Sequence, residues 1–98
     1  MKKVLVCCNA GVSTSLLVAK LERVAKARGV GYAIEAHPLA DAIEHLSSSD
    51  VVLLAPQVGF AEANLREATA APVRVIDVEA YARANAEQIL DDIADLLG

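Results

Sequence analysis

Residues 3–28 read KVLVCCNAGVSTSLLVAKLERVAKAR, and this stretch decides the fold. Lys3–Cys7 is a continuous apolar and β-branched run, a pattern typical of a strand that is buried on both faces. Ser13–Arg28 then places apolar residues one helical turn apart, and Gly29 follows as a helix terminator. A buried strand that leads through a short loop into an amphipathic helix predicts the first half of a β-α-β unit.

The rest of the chain repeats this alternation of strand and helix. Strands joined through helices are parallel, and right-handed crossovers place the helices on both faces of the sheet. We therefore predict an α/β fold with a four-stranded parallel sheet in the order 2-1-3-4. The later strands are predicted at Tyr32–Ala36, Val51–Ala55 and Val73–Ile76, and the later helices from Pro38, at Phe60–Ala70 and at Glu79–Leu97.

Three details of the helices follow from their periodicity. The inward faces are expected to include Ile43 in the second helix, Ala68 in the third and Ala82 in the fourth. Asp77 stands where an N-cap of the last helix is expected. This last helix is predicted to be continuous.

Composition limits the classes of protein to which the chain can belong. Its 98 residues are 55% hydrophobic and 22% charged, which predicts one folded domain over residues 1–98. A net charge of −4 and only 3% aromatic residues argue against a nucleic-acid partner. No apolar run is long enough for direct membrane insertion. We expect a cytoplasmic protein.

The two cysteines, Cys7 and Cys8, are adjacent in the sequence. Neighbouring cysteines do not form a disulfide framework. His37 and His45 do not form a spaced ligand pair with them either, so we predict no metal site and no cofactor.

A sheet of order 2-1-3-4 has a topological switch point between its first and third strands. Ligands bind such sheets outside the carboxyl ends of the strands at that point. Four loops meet at this edge, and the chemistry is expected among them: Cys8–Thr14, His37–Pro38, Pro56–Gly59 and Asp77–Tyr81.

The loop after the first strand has the composition of an anion site. The backbone N–H groups of such a turn, together with the helix N-terminus that follows, attract negative charge. The same helix N-terminus favours a thiolate at Cys8, which makes this sulfur a candidate nucleophile for attack on phosphorus. The residues predicted to hold the phosphoryl oxygens are Asn9, Ala10, Gly11, Val12, Ser13, Thr14 and Ser15.

Other anion-binding loops fit less well. The loop has no lysine for a nucleotide P-loop and only one glycine, whereas a dinucleotide fingerprint needs three. Low-molecular-weight tyrosine phosphatases and arsenate reductases need an arginine where Thr14 stands. A phosphatase or arsenate reductase-like enzyme and a non-catalytic anion-binding module remain as alternatives on the residues alone.

The segment CNAGVSTSLLVAKL, residues 8–21, resembles the active-site segment of enzyme IIB of the lactose/cellobiose (chitobiose) class of the bacterial sugar phosphotransferase system. That family typically reads CSAGMSTSLLV. IEAHP at 34–38 is similar to the family's IEAFP, and DVVLLAPQ at 50–57 is similar to its DVVLLGPQ. Val75-Ile76-Asp77 followed by Tyr81 is similar to its VIDxxxY.

This resemblance implies a single IIB domain of type 3, with a fold similar to low-molecular-weight tyrosine phosphatase. It implies that Cys8 takes a phosphoryl group from a phosphohistidine of enzyme IIA. The group would pass to a sugar at membrane subunit IIC, a β-linked disaccharide such as cellobiose, chitobiose or lactose. Gln57 and Tyr81 become possible neighbours of the site. His37 stands where the family has an aromatic residue, so a packing role is expected for it.

Overall fold

The computed structural model describes residues 1–9 and 15–97. Its strands are β1 (Lys2–Cys8), β2 (Tyr32–Pro38), β3 (Val51–Leu54) and β4 (Val73–Val75). Its α-helices are α1 (Ser15–Ala27), α2 (Leu39–Ala42), α3 (Glu62–Ala68), α4 (Val78–Ala82) and α5 (Ala86–Leu97). Two 3₁₀ helices, Ile43–Ser48 and Pro56–Ala61, lie before β3 and α3. No helix within these two described ranges is long and apolar enough to cross a membrane.

The four strands form one parallel sheet in the order β2-β1-β3-β4, which confirms the predicted topology. β1 pairs with β2 along its whole length, from Lys2 opposite Tyr32 to Cys8 opposite Pro38. Its pairing with β3 ends one residue earlier, at Cys7. Cys8 is therefore the last residue of a central strand, at the carboxyl edge of the sheet.

Alternate residues of β1 point into two separate cores. Val4 and Val6 pack in the core that contains α1 and α5. Leu5 and Cys7 pack in the core beneath α2 and α3, on the other side of the sheet. All four of these side chains are fully buried, as expected for a strand covered by helices on both faces.

The second helical segment differs from the prediction in its inward face. Ile43, expected to point inward, is 66% exposed, whereas Ala42 is fully buried. The small side chain of Ala42 allows α2 to lie close to the sheet, and this orientation turns Ile43 outward. Leu46 is buried as predicted, in the 3₁₀ helix that continues α2.

The third helix is shorter than predicted, since a 3₁₀ helix takes up its first residues and α3 ends at Ala68. Ala68, in the last turn of α3, is exposed and does not contribute to the inward face. The prediction for Ala68 was therefore wrong.

The predicted last helix is divided in two. Ala84 has a positive φ of 50°, which ends α4, and the side chain of Asn85 then accepts a hydrogen bond from the Gln88 N–H in the first turn of α5. This break leaves Ala82 exposed, contrary to prediction. Asp77 caps α4 as predicted, because its carboxylate accepts a hydrogen bond from the Ala80 N–H at 3.1 Å.

Candidate functional site

Cys8 lies at the switch point that the topology predicts. It ends β1, between β2 and the end of β3, and only 4% of its surface is exposed. Its Sγ lies 3.6 Å from the carbonyl oxygen of His37 and donates to it, which ties the thiol to the end of the neighbouring strand. The sulfur therefore has a defined position at the edge where parallel sheets bind ligands.

The predicted phosphate loop is only partly within the described residues. Asn9 follows β1 directly and is exposed, and Ser15 is the first residue of α1. The structure therefore places the two ends of the loop. The predictions for Ala10, Gly11, Val12, Ser13 and Thr14 lie outside the described residues.

Cys7 has a different environment from Cys8, although the two residues are adjacent. Its side chain is fully buried within β1, and neither cysteine forms a disulfide. Burial disfavours the thiolate and, together with the neighbouring charge of Cys8, raises the pKa of Cys7 to about 11. Cys7 is therefore a protonated core residue at neutral pH, and Cys8 is the nucleophile candidate of the pair.

Tyr81 comes from α4 and reaches the same edge. Its side chain is half-buried and contacts both cores, so it lies over the end of the sheet. Burial raises the pKa of its hydroxyl, and negative charge on Cys8 raises it further. Tyr81 also packs against the core cluster that includes Cys8, and its role as a neighbour of the site stays a prediction. Its hydroxyl remains protonated at neutral pH and available as a hydrogen-bond donor.

Gln57 lies in a groove beside Tyr81. The groove has a volume of about 520 Å³ and is lined by Pro56, Gln57, Val78, Tyr81 and Ala82. It runs between the segment after β3 and helix α4, so two of the predicted loops meet there. Gln57 itself is exposed, and its role as a neighbour of the site stays a prediction.

His37 has the aromatic packing expected of it, but its partner was not predicted. Its ring stacks on the ring of His45, with centroids 3.8 Å apart and planes 11° from parallel. Its Nε2 also lies 3.1 Å from an oxygen of Glu35. The alternation of β2 places Glu35 and His37 on one face, a signal visible in the sequence, but nothing in the sequence indicated that His45 would meet them.

The model of the lactose/cellobiose-specific IIB subunit of the PTS system matches residues 3–92 of this chain. The match includes Cys8, Gln57 and Tyr81, and it covers far more than half of the sequence. The chain belongs to this IIB family. PTS IIB components are phosphotransferases that pass a phosphoryl group to sugar and work with IIA and IIC partners in sugar uptake. This IIB chain therefore has a transferase function in sugar transport.

Three relatives of this IIB chain are each 34% identical to it. They are the oligo-beta-mannoside-specific EIIB component of Bacillus subtilis and the galactose-specific and cellobiose-specific EIIB components of Lactococcus lactis. The alignments cover 98–99% of this chain and 96–97% of those proteins. The similarity thus extends over essentially the whole IIB sequence, whereas the names of the relatives give different sugars.

Two solved structures have the same fold as this IIB chain. The lactose-specific IIB component domain of Streptococcus pneumoniae superimposes with a TM-score of 0.86 over 99% of this chain and 98% of that one, at 16% identity. The cellobiose-specific IIB component of Borrelia burgdorferi does so with a TM-score of 0.79 at 34% identity, over 98% of this chain and 91% of that one. The predicted fold class is confirmed.

Proposed function

We propose that Cys8 carries the phosphoryl group in this IIB subunit. The single observation that supports this role is the position of Cys8 at the carboxyl end of β1, at the switch point and close to Tyr81. Cys7 is buried and protonated, which leaves Cys8 as the cysteine that can act. The donor is the phosphohistidine of IIA, and the acceptor is a sugar held by membrane subunit IIC.

The transfer consists of two displacements at phosphorus. The Cys8 thiolate attacks the phosphoryl group, an S–P bond forms, and the P–N bond of the phosphohistidine breaks. A hydroxyl oxygen of the sugar then attacks phosphorus, the S–P bond breaks, and the sugar proton is released as the thiolate returns. Positioning and charge stabilisation are the main requirements of such transfers.

The groups proposed to hold the phosphoryl oxygens come from the loop after Cys8, from Tyr81 and from Gln57. The loop Asn9–Ser15 supplies backbone N–H groups and hydroxyls, a role suggested by its sequence and by the start of α1 at Ser15. The protonated hydroxyl of Tyr81 can donate a further hydrogen bond, and Gln57 offers a side-chain amide. No metal or cofactor has a step in this mechanism.

We assign the groove beside Tyr81 to partner docking. Its apolar residues include Val78, which is 66% exposed. The phosphohistidine of IIA must come within bonding distance of the Cys8 sulfur, so the surface of IIA has to cover the carboxyl edge of the sheet. An exposed apolar residue in that position becomes buried when the partner binds.

The proposed sugar is a β-linked disaccharide, taken up through IIC and phosphorylated on the cytoplasmic side. Two of the three relatives are named for β-mannosides or cellobiose, which supports this class of sugar. The alternative of a phosphatase lacks support, because Thr14 stands where those enzymes need an arginine.

The decisive experiment is intact-mass analysis after incubation with phosphorylated IIA of the same family. We expect the mass of one phosphoryl group on the wild-type chain and on Cys7→Ala, and none on Cys8→Ser. Peptide mapping should locate the group on Cys8. Phosphoryl uptake by a folded Cys8→Ser variant would overturn the assignment.

A second measurement distinguishes a carrier from a phosphatase. The isolated phosphoprotein should keep its label at neutral pH and lose it when IIC membranes and the sugar are added. Water is not aligned with the S–P bond as the bound sugar hydroxyl is, and such alignment is worth about 7–11 kcal/mol of the barrier. Rapid loss of the label without partners would favour the phosphatase.

A further inference from the structure

Glu35, His37 and His45 form a cluster outside the proposed phosphoryl site. One possible ligand atom from each residue, a carboxylate oxygen or an imidazole nitrogen, lies within 4.8 Å of the other two. Glu35 and His37 come from β2, and His45 comes from the 3₁₀ helix Ile43–Ser48. We propose that Glu35, His37 and His45 bind a divalent zinc ion.

The donor set fits zinc in both chemistry and distance. Two imidazole nitrogens and one carboxylate oxygen are ligands that zinc prefers, and magnesium prefers oxygen ligands alone. Tetrahedral zinc with bonds near 2.0–2.1 Å holds its ligands about 3.4 Å apart. The Nε2 of His37 and the Oε1 of Glu35 are 3.1 Å apart, close to that separation, and all three ligand atoms lie within 4.8 Å of one another, so rotation of the side chains can bring them around the ion.

The backbone holds both histidines in place. The main chain of His37 lies in the β1–β2 ladder opposite Cys7. The carbonyl of His45 accepts hydrogen bonds from the hydroxyls of Ser48 and Ser49, at 3.2 Å and 2.7 Å. Since both main-chain segments are fixed, zinc binding requires only side-chain rotation.

The stacked arrangement of the two rings describes the metal-free state. A zinc ion lies close to the plane of each imidazole that binds it. The ring planes are 11° from parallel with centroids 3.8 Å apart, so one ring must turn when the ion binds. Zinc binding should therefore change the ring-current shifts of both histidines, which gives a spectroscopic signature of the site.

Lys3 opposes zinc binding. Its Nζ lies 3.6 Å from the Glu35 carboxylate, and its positive charge repels a cation at that position. The same ammonium also donates to the Ser48 hydroxyl at 3.0 Å, so it has another partner when Glu35 turns to the metal. Removing the charge of Lys3 should consequently tighten zinc binding.

The test is calorimetric titration of the full chain with zinc chloride, and with magnesium chloride as a control. We expect one zinc ion per chain and no magnesium binding. His37→Phe, which keeps an aromatic ring against His45, and His45→Gln should each weaken zinc binding at least about tenfold. Cys8→Ser should bind zinc with unchanged affinity, which separates the cluster from the reactive thiol.

The Lys3→Met variant tests the site in a way that a folding defect cannot imitate, because a misfolded chain would not bind zinc more tightly. We expect it to increase zinc affinity several-fold and to leave the zinc-induced shifts of the His37 and His45 ring signals in place. Wild-type affinity in both histidine variants would overturn the site. Loss of zinc binding in Cys8→Ser would overturn it equally, because the thiol would then be the ligand.

Discussion

Tyr81 in helix α4 packs against the core cluster to which Cys8, at the end of strand β1, belongs. Burial raises the pKa of the Tyr81 hydroxyl, and negative charge on the Cys8 sulfur raises it further. The chain reaches this arrangement by capping α4 with Asp77 directly after β4, which orients the helix at the carboxyl edge of the sheet. A hydroxyl that stays protonated at neutral pH is suited to donating a hydrogen bond to charge on a sulfur or on a phosphoryl group.

The pKa of Tyr81 should therefore depend on Cys8. In Cys8→Ser the charge is removed, and we expect the pKa of Tyr81 to fall toward its ordinary value while burial keeps it raised. The phenol can be titrated by ultraviolet absorbance, with Tyr32→Phe as the background so that Tyr81 is the only tyrosine. If Tyr81 titrates identically in the chain with Cys8 and in the Cys8→Ser variant, the two groups do not interact.

Cys7 should make the stability of the fold sensitive to alkaline pH. Because the pKa is raised from 9.0 to about 11 in the folded chain, the unfolded chain loses this proton first. The stabilising contribution is complete below pH 9 and is lost as the pH rises toward 11, by about 2–3 kcal/mol. Cys7→Val replaces the thiol with an apolar side chain that has no titratable proton.

Urea unfolding under reducing conditions checks this expectation. Between pH 9 and 11 the free energy of unfolding should fall more steeply in the wild type than in Cys7→Val, while below pH 9 the two curves should run parallel. Parallel curves over the whole range would contradict the role assigned to burial at Cys7.

Val78 should contribute to docking of IIA. Val78→Asp places a charge in the groove beside Tyr81, and we expect the rate of transfer from phosphorylated IIA at low concentration to fall roughly tenfold. Ile43→Asp is the matched control, because Ile43 is also 66% exposed but belongs to a different surface. Equal effects of the two substitutions in stopped-flow transfer assays would argue against docking at the groove.

Ala84 carries backbone strain that glycine should relieve. Its φ of 50° is a left-handed conformation that costs a residue with a Cβ about 1–2 kcal/mol. Ala84→Gly should therefore raise the free energy of unfolding by about 0.5–1 kcal/mol, after the greater flexibility of glycine in the unfolded chain is subtracted. Ala82→Gly, at the exposed end of α4, should lower it by a similar amount. Thermal unfolding of both variants measures the two changes in stability. A lower stability of Ala84→Gly than of the wild type would show that the backbone at Ala84 is not strained.

Much of this fold could be predicted locally. The apolar run at Lys3–Cys7 fits only a strand covered on both faces, and the helix after it makes the next strand parallel. These two features predict a parallel sheet covered on both faces, and the predicted order 2-1-3-4, which the structure confirms, places Cys8 at the switch point. The capping role of Asp77 could also be predicted from the local sequence, because a carboxylate just before a helix accepts hydrogen bonds from the free N–H groups of its first turn.

Helix orientation could not be read from periodicity alone. Ala42 faces the sheet instead of Ile43, because close packing of a short helix favours the smaller side chain. The break at Ala84 was missed because alanine is the strongest helix former, although Asn85 followed by Gln88 has the pattern of a new helix N-terminus.

The sequence by itself determined the topology of the sheet and the position of Cys8 at its switch point, and it predicted the reactive cysteine and the loop that follows it. Such features depend on the hydrophobic periodicity of each segment, on the types of its residues and on their neighbours along the chain. Only the tertiary structure decided which distant side chains meet. Tyr81 packs against the core that contains Cys8, and His45 stacks on His37, because helices packed against the sheet bring together residues that are far apart in sequence. Local patterns specify which elements form and in what order, and the packing of whole elements decides how the short helices are oriented and which side chains they contact.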